Sequence, residues 1–118
     1  MNKTATALVV KFVMTFVLAA LLFTVLDRNA LVWSTAVAVA GTILNYFLGD
    51  LYVLPKFGNL TASVGDGILA ILVAYIVDLA VLDFRTTVTS LILFGALVAV
   101  GEYFFHQYLL RSEKVAPE

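Results

Sequence analysis

Four long apolar runs divide the chain, separated by short polar clusters. They cover about 6–26, 31–50 (with an apolar continuation as far as 54), 61–82 and 88–110. A helix that crosses the hydrocarbon core of a bilayer needs roughly 20 mainly apolar residues. Each run meets that length, so each reads as a membrane-spanning helix. Spanning strands would alternate apolar and polar residues over about 10 positions, and these runs are too long and too uniform for that. The clusters Asp27-Arg28-Asn29-Ala30 and Asp83-Phe84-Arg85-Thr86-Thr87 are short, which makes the helices on either side antiparallel. The stretch GDLYVLPKFGNLTASVGDG (49–67) reads as the hinge joining two hairpins, with Gly49, Pro55 and Gly58 as its structural punctuation. Pro55 has no N–H and limits how far the second helix continues, and Gly58-Asn59 signals a turn. Residues 112–118 form a short polar tail, expected to be mobile. The expected fold class is all-α: a single-domain (1–118) four-helix transmembrane bundle of two antiparallel hairpins.

Composition strengthens this reading. Of 118 residues, 63% are hydrophobic and 13% charged, against about 45–50% and about 25% in average globular chains. Such a chain has too little polar surface to cover a small soluble core. The net charge of −1 gives no reason to expect a nucleic-acid partner, and the lack of cysteine excludes a disulfide framework, a thiolate metal site and a cysteine nucleophile. Lys3 and Lys11 precede an apolar run, as in a signal peptide. The run continues to Leu26 without a small-x-small cleavage site, so an uncleaved first span is expected. Lys3, Lys11, Lys56, Arg111 and Lys114 fall at one side of the bundle, Arg28 and Arg85 at the other beside aspartates. The positive side faces the cytoplasm, which places both termini and the central linker there. Trp33, Tyr46, Tyr52, Tyr103 and Tyr108 lie near helix ends, as interfacial aromatics do. The two halves share a plan of helix, acidic–basic turn, helix. That plan is compatible with a parallel internal repeat, although side-chain identity between the halves is low.

The candidate chemistry lies inside the spans, where ionisable groups are costly, face the bundle interior and find partners. At about 1.5 Å per residue, Lys11 is roughly 8–10 Å from the end of the first helix, and Asp66 and Glu102 are about as deep in the third and fourth. Asp50 and His106 sit nearer the cytoplasmic end and Asn45 somewhat deeper. Helical phase agrees. Ser34, Ala38, Gly41 and Asn45 share one face of the second helix, Gly95, Ala99, Glu102 and His106 one face of the fourth, Asp66, Ala70 and Ala74 one face of the third, and Lys11 and Thr15 one face of the first. Small residues let membrane helices approach closely, so the interior is expected to hold small residues above and a charged layer below, with Lys11 paired to Glu102 or Asp66. Asp78 is expected to pair with Arg85 or Arg28.

The layer of Lys11, Asn45, Asp50, Asp66, Glu102 and His106 has two readings. It fixes helix register, or it is a proton or cation site, since three carboxylates and a histidine outnumber one lysine. Glu102 and His106, one turn apart, with Asp66 as a third ligand, give a weak metal signature. Asn59-Leu60-Thr61 matches a glycosylation sequon but lies on the expected cytoplasmic side. No catalytic constellation and no phosphate loop is present; of the serines, only Ser63 has a histidine at matching depth.

The stretches GDLYVLPKFGN (49–59), ASVGDG (62–67) and GEYFFH (101–106) resemble the small YndM-like membrane proteins of spore-forming Gram-positive bacteria, a domain of unknown function with four spans. The resemblance covers nearly the whole chain and implies a multi-pass protein of the bacterial cytoplasmic (inner) membrane. It brings no activity, ligand or cofactor, so no functional residue is carried over. The expected function is a non-enzymatic structural or partner-binding membrane component without cofactors. Its expected partners are the lipid bilayer and a second copy or another membrane protein. Alternatives are a small proton or cation conductor or transporter using the acidic layer, a holin-like permeabilising protein, and a membrane metalloenzyme.

Overall fold

A computed structural model describes the backbone of residues 3–112 and the side chains of 4–108. The tail 113–118 and the side chains of Lys3, Arg111 and Lys114, on which the sidedness expectation partly rests, lie outside the described residues.

Four helical runs are long and apolar enough to cross a membrane: Thr4–Leu26, Leu31–Phe57, Asn59–Ala80 and Val88–Tyr108. They are the first to fourth spans below, and no strand occurs among the described residues. The first and second spans form one antiparallel hairpin and the third and fourth another. The second also packs on the third and the fourth on the first, which closes the ring. Large apolar side chains cover the outside, among them Val13, Leu21, Ile43, Leu72 and Phe104. An apolar exterior around a polar interior is the arrangement a lipid solvent requires.

Two segments depart from α-helix. Ala20–Leu26 and Asn45–Val53 are π-helical, continuing the α-helices Lys3–Ala19 and Leu31–Leu44 without a break. The second span therefore runs on through Gly49 and Pro55 to Phe57, and only Gly58 separates it from the third. The expectation of a long linker holding Gly49, Pro55 and Gly58 is corrected to a single-residue joint. Pro55 stays helical because it falls in the first turn of the short α-helix Leu54–Phe57, a position that tolerates a missing N–H. Gly58 has φ of 89° and ψ of 173°, a region essentially reserved for glycine.

The interior has two storeys. One is apolar. Phe23 lies edge-on to Phe84 and to Phe94 with ring centroids 5.6 and 4.8 Å apart, and Val37, Ala74 and Val98 complete the plug. The expected small residues Ser34, Ala38, Ala70 and Ala74 are buried, and the rings fill space beside them. The other storey holds the charged layer. Tyr46 is 4% exposed and packs with Ala7, Leu54, Ala62 and Phe105, so it is a core residue and not an interfacial one.

At the end of the bundle away from Gly58, one side chain ties the hairpins together. Asn29 Nδ2 donates to the carbonyls of Phe23 and Arg85, 2.7 Å each, and Asn29 Oδ1 accepts from the Arg85 amide at 2.8 Å. Asp78 meets Arg85 at 3.7 Å, as expected, but its closer partners are the amide and hydroxyl of Thr86, at 2.9 and 2.6 Å.

The third and fourth spans touch where Gly67 faces Gly95: a Cβ on Gly67 would stand 2.5 Å from the Gly95 carbonyl oxygen. Gly67→Leu is therefore expected to force these helices apart and destabilise the bundle by about 1–3 kcal/mol. Gly65→Leu, where a Cβ has nothing within 4 Å, should leave stability unchanged. Thermal unfolding of both variants in detergent checks the contrast.

Candidate functional site

Every span contributes to one buried cluster. Lys11 comes from the first, Asp50 from the second, Asp66 from the third, and Glu102 and His106 from the fourth. Lys11, Asp50, Glu102 and His106 are 0% exposed and Asp66 is 2%. The level counted along the sequence is thus a real layer, and Lys11 takes the first of its two expected partners.

Lys11 Nζ donates to both carboxylate oxygens of Glu102 at 2.6 Å. Asp50 Oδ2 lies 3.5 Å from the same ammonium, and the Phe105 ring centroid 5.1 Å from it. His106 sits across the cluster, with Nε2 at 2.9 Å from Asp50 Oδ1, 3.1 Å from Asp66 Oδ2 and 3.5 Å from Glu102 Oε1. One ring N–H cannot point along all three directions. The bond to Asp50 is formed, and Asp66 Oδ2 is left without a hydrogen bond of its own.

The π-helical turn explains how Asp50 gets there. In an α-helix, five residues past Asn45 fall about 140° around the axis. A π-helix, with i→i+5 bonds, winds less per residue, so Asp50 falls closer to the phase of Asn45 and reaches the inward face. Both are fully buried. Asn45 itself forms no bond to the cluster: neither of its side-chain polar atoms has a hydrogen-bond partner among the described residues.

Asn59 completes the site, although in the sequence it carries only a turn and a sequon signal. Asn59 Nδ2 donates to the Tyr103 carbonyl at 3.0 Å, which fixes the amide orientation. Asn59 Oδ1 then faces His106 Nδ1 at 2.9 Å and accepts from Ser63 Oγ at 3.0 Å. Asn59 heads the third span one turn before Ser63, on the face that meets His106; that spacing is the signal that would have found it. Both ring nitrogens of His106 therefore face oxygen atoms, Asn59 Oδ1 and Ser63 Oγ at Nδ1 and the Asp50 carboxylate at Nε2.

The comparisons with known proteins fit this picture. The family described as "Protein of unknown function (DUF2512)" matches residues 2–116. The chain belongs to that family. It is also 37% identical over 98 residues to the uncharacterized membrane protein YndM of Bacillus subtilis (strain 168), a match covering 79% of this chain and 54% of YndM. The chain thus spans about half the length of that relative. No solved structure matches it. As a DUF2512 member related to a membrane protein, with four candidate spans, it is a multi-pass membrane protein. No enzymatic family is indicated.

This DUF2512 chain places ligand atoms of Asp50, Asp66, Glu102 and His106 within 4.8 Å of one another. For a metal, three of the four residues are already committed in two pairs. The Lys11 ammonium spans the Glu102 carboxylate, and a hydrogen bond joins His106 Nε2 to Asp50. A divalent ion would have to break both pairs. The arrangement suits proton sharing better: its donors and acceptors already face one another, and two carboxylate oxygens, Asp50 Oδ2 and Asp66 Oδ2, have no donor.

Removing one partner of a buried pair leaves the other charge uncompensated, at a cost of about 3–5 kcal/mol. Lys11→Met is expected to destabilise the bundle by that amount, and the double variant Lys11→Met with Glu102→Gln to recover most of it. A double-mutant cycle of unfolding free energies in detergent measures the coupling.

Proposed function

We propose that this protein moves protons across the membrane, using the Lys11–Asp50–Asp66–Glu102–His106 cluster as its proton-binding site. One observation carries the reading: the cluster holds three carboxylates against one lysine and one histidine, so even with both cations charged it retains a surplus negative charge in a low-dielectric interior. A network serving only to join helices would gain from being matched, because each uncompensated buried charge is expensive. One further proton, taken up on an undonated oxygen of Asp50 or Asp66, neutralises the layer. A site that is neutral with the proton and charged without it is suited to picking up and delivering that proton. Ionisable side chains within spans commonly mark such relays.

A second reading, a structural or partner-binding component, is favoured by the fact that all four spans supply a member of the cluster, which ties them together. The two readings part on function and not on stability. Protein reconstituted into liposomes under an imposed pH gradient should carry protons faster than empty vesicles. Asp66→Asn and Glu102→Gln, checked for unchanged helicity and elution, should reduce the flux to the empty-vesicle level. No flux above empty vesicles at any gradient discards proton movement and leaves the structural role.

A further inference from the structure

Between the second and third spans, on the outward surface, lies a groove of about 270 Å³. Leu48, Val53 and Leu69 wall it, and Gly49, Gly65 and Asp66 complete its lining. It is apolar apart from one group, the Asp66 carboxylate. Gly49 is what makes room for that group. A Cβ on Gly49 would collide with Asp66 Oδ1, so any larger residue would displace the carboxylate from the groove lining. Asp66 Oδ2 is turned into the cluster, 3.1 Å from His106 Nε2, so Oδ1, beside Gly49, is the oxygen on the groove side. The charged groups around it are His106 and Glu102 on the fourth span, Asp50 on the second and Lys11 on the first.

We propose that this groove binds a membrane-soluble amphiphile with a cationic amine head, its ammonium on Asp66 and its alkyl tail along Leu48, Val53 and Leu69. Three features select that chemistry. The cluster behind Asp66 has a surplus of negative charge, which attracts a cation and repels a carboxylate or phosphate. The rest of the lining is apolar and faces the acyl chains, so the ligand enters from the lipid phase. The volume falls just under the roughly 300–1,000 Å³ of pockets for drug-sized ligands, which suits one short alkyl chain and not a two-tailed lipid. Amine binding stands apart from proton movement, because it would be detected even if no proton crossed the membrane.

The test uses n-decylamine as probe, by equilibrium dialysis against the full chain in non-ionic detergent, with protein-free micelles subtracted. Saturable binding of one decylamine per chain is expected, with n-decanol and decanoate binding no better than to micelles alone. Asp66→Asn should weaken binding at least about tenfold, since it removes one charge of a desolvated pair. Gly65→Leu fills the groove and leaves the cluster untouched; it should abolish binding without changing helicity, and keeps the test valid should the Asp66 variant fail to fold. Equal binding of decanol, or unchanged binding in both variants, overturns the proposal. So does a phosphatidylethanolamine that copurifies at one per chain and blocks decylamine, which would assign the groove to a lipid head group.

Discussion

The bundle depends on the cost of placing charge in hydrocarbon. Moving a single ammonium or carboxylate from water to a low-dielectric medium costs about 20 kcal/mol in the idealised limit. Lys11 and its neighbours are tolerable only because each arrives with others. The short contacts of Lys11 to both Glu102 oxygens and of His106 to Asp50 are made by residues 91 and 56 positions apart, so they exist only when the first, second and fourth spans are in place, and the approach of Asp66 to His106 adds the third. The cluster thereby selects one packing of four otherwise similar apolar helices. Packing of lipid-exposed Leu, Val and Ile cannot do this, since lipid tails solvate such side chains as well as another helix does.

Around that requirement the rest of the molecule divides its work. The phenylalanine plug of Phe23, Phe84 and Phe94 gives the opposite storey a dry core. Gly67 and Gly95 bring the third and fourth backbones close together, and across the same seam His106 meets Asp66 and Asn59. The π-helical stretch turns Asp50 inward, and Asn59 holds the far side of the imidazole. Helix geometry, small residues and an amide at a helix start all serve one layer of side chains.

Much of this was legible in the sequence. The apolar runs define four spans, and counting along each run puts Lys11, Asp66 and Glu102 at one level, with Asp50 and His106 a little nearer the cytoplasmic end. What escaped reading has a common cause, dependence on partners distant in the chain. No local signal separates a π-turn from an α-turn over Asn45–Val53; the choice follows from what packs against it. Pro55 and Gly49 carry the composition of a linker, yet they sit within continuous helix because the wider turn moves the proline to a tolerated position. Tyr46 has the placement of an interfacial aromatic, and only the neighbouring Ala7, Ala62 and Phe105 make it a core residue. Asn59 resembled punctuation because its partners, His106 and Tyr103, lie more than forty residues away.

Asn29 has a mechanical consequence. By bridging the backbone at Phe23 to that at Arg85 it latches the two loops opposite the charged layer, while at the other end the hairpins are held by the joint at Gly58 and by the charged layer itself. Any parting of the hairpins would pivot at the latch like the jaws of a clothes-peg. The greatest excursion would then fall beside Lys11 and Asp66, so the charged storey is also the one with most leverage to open.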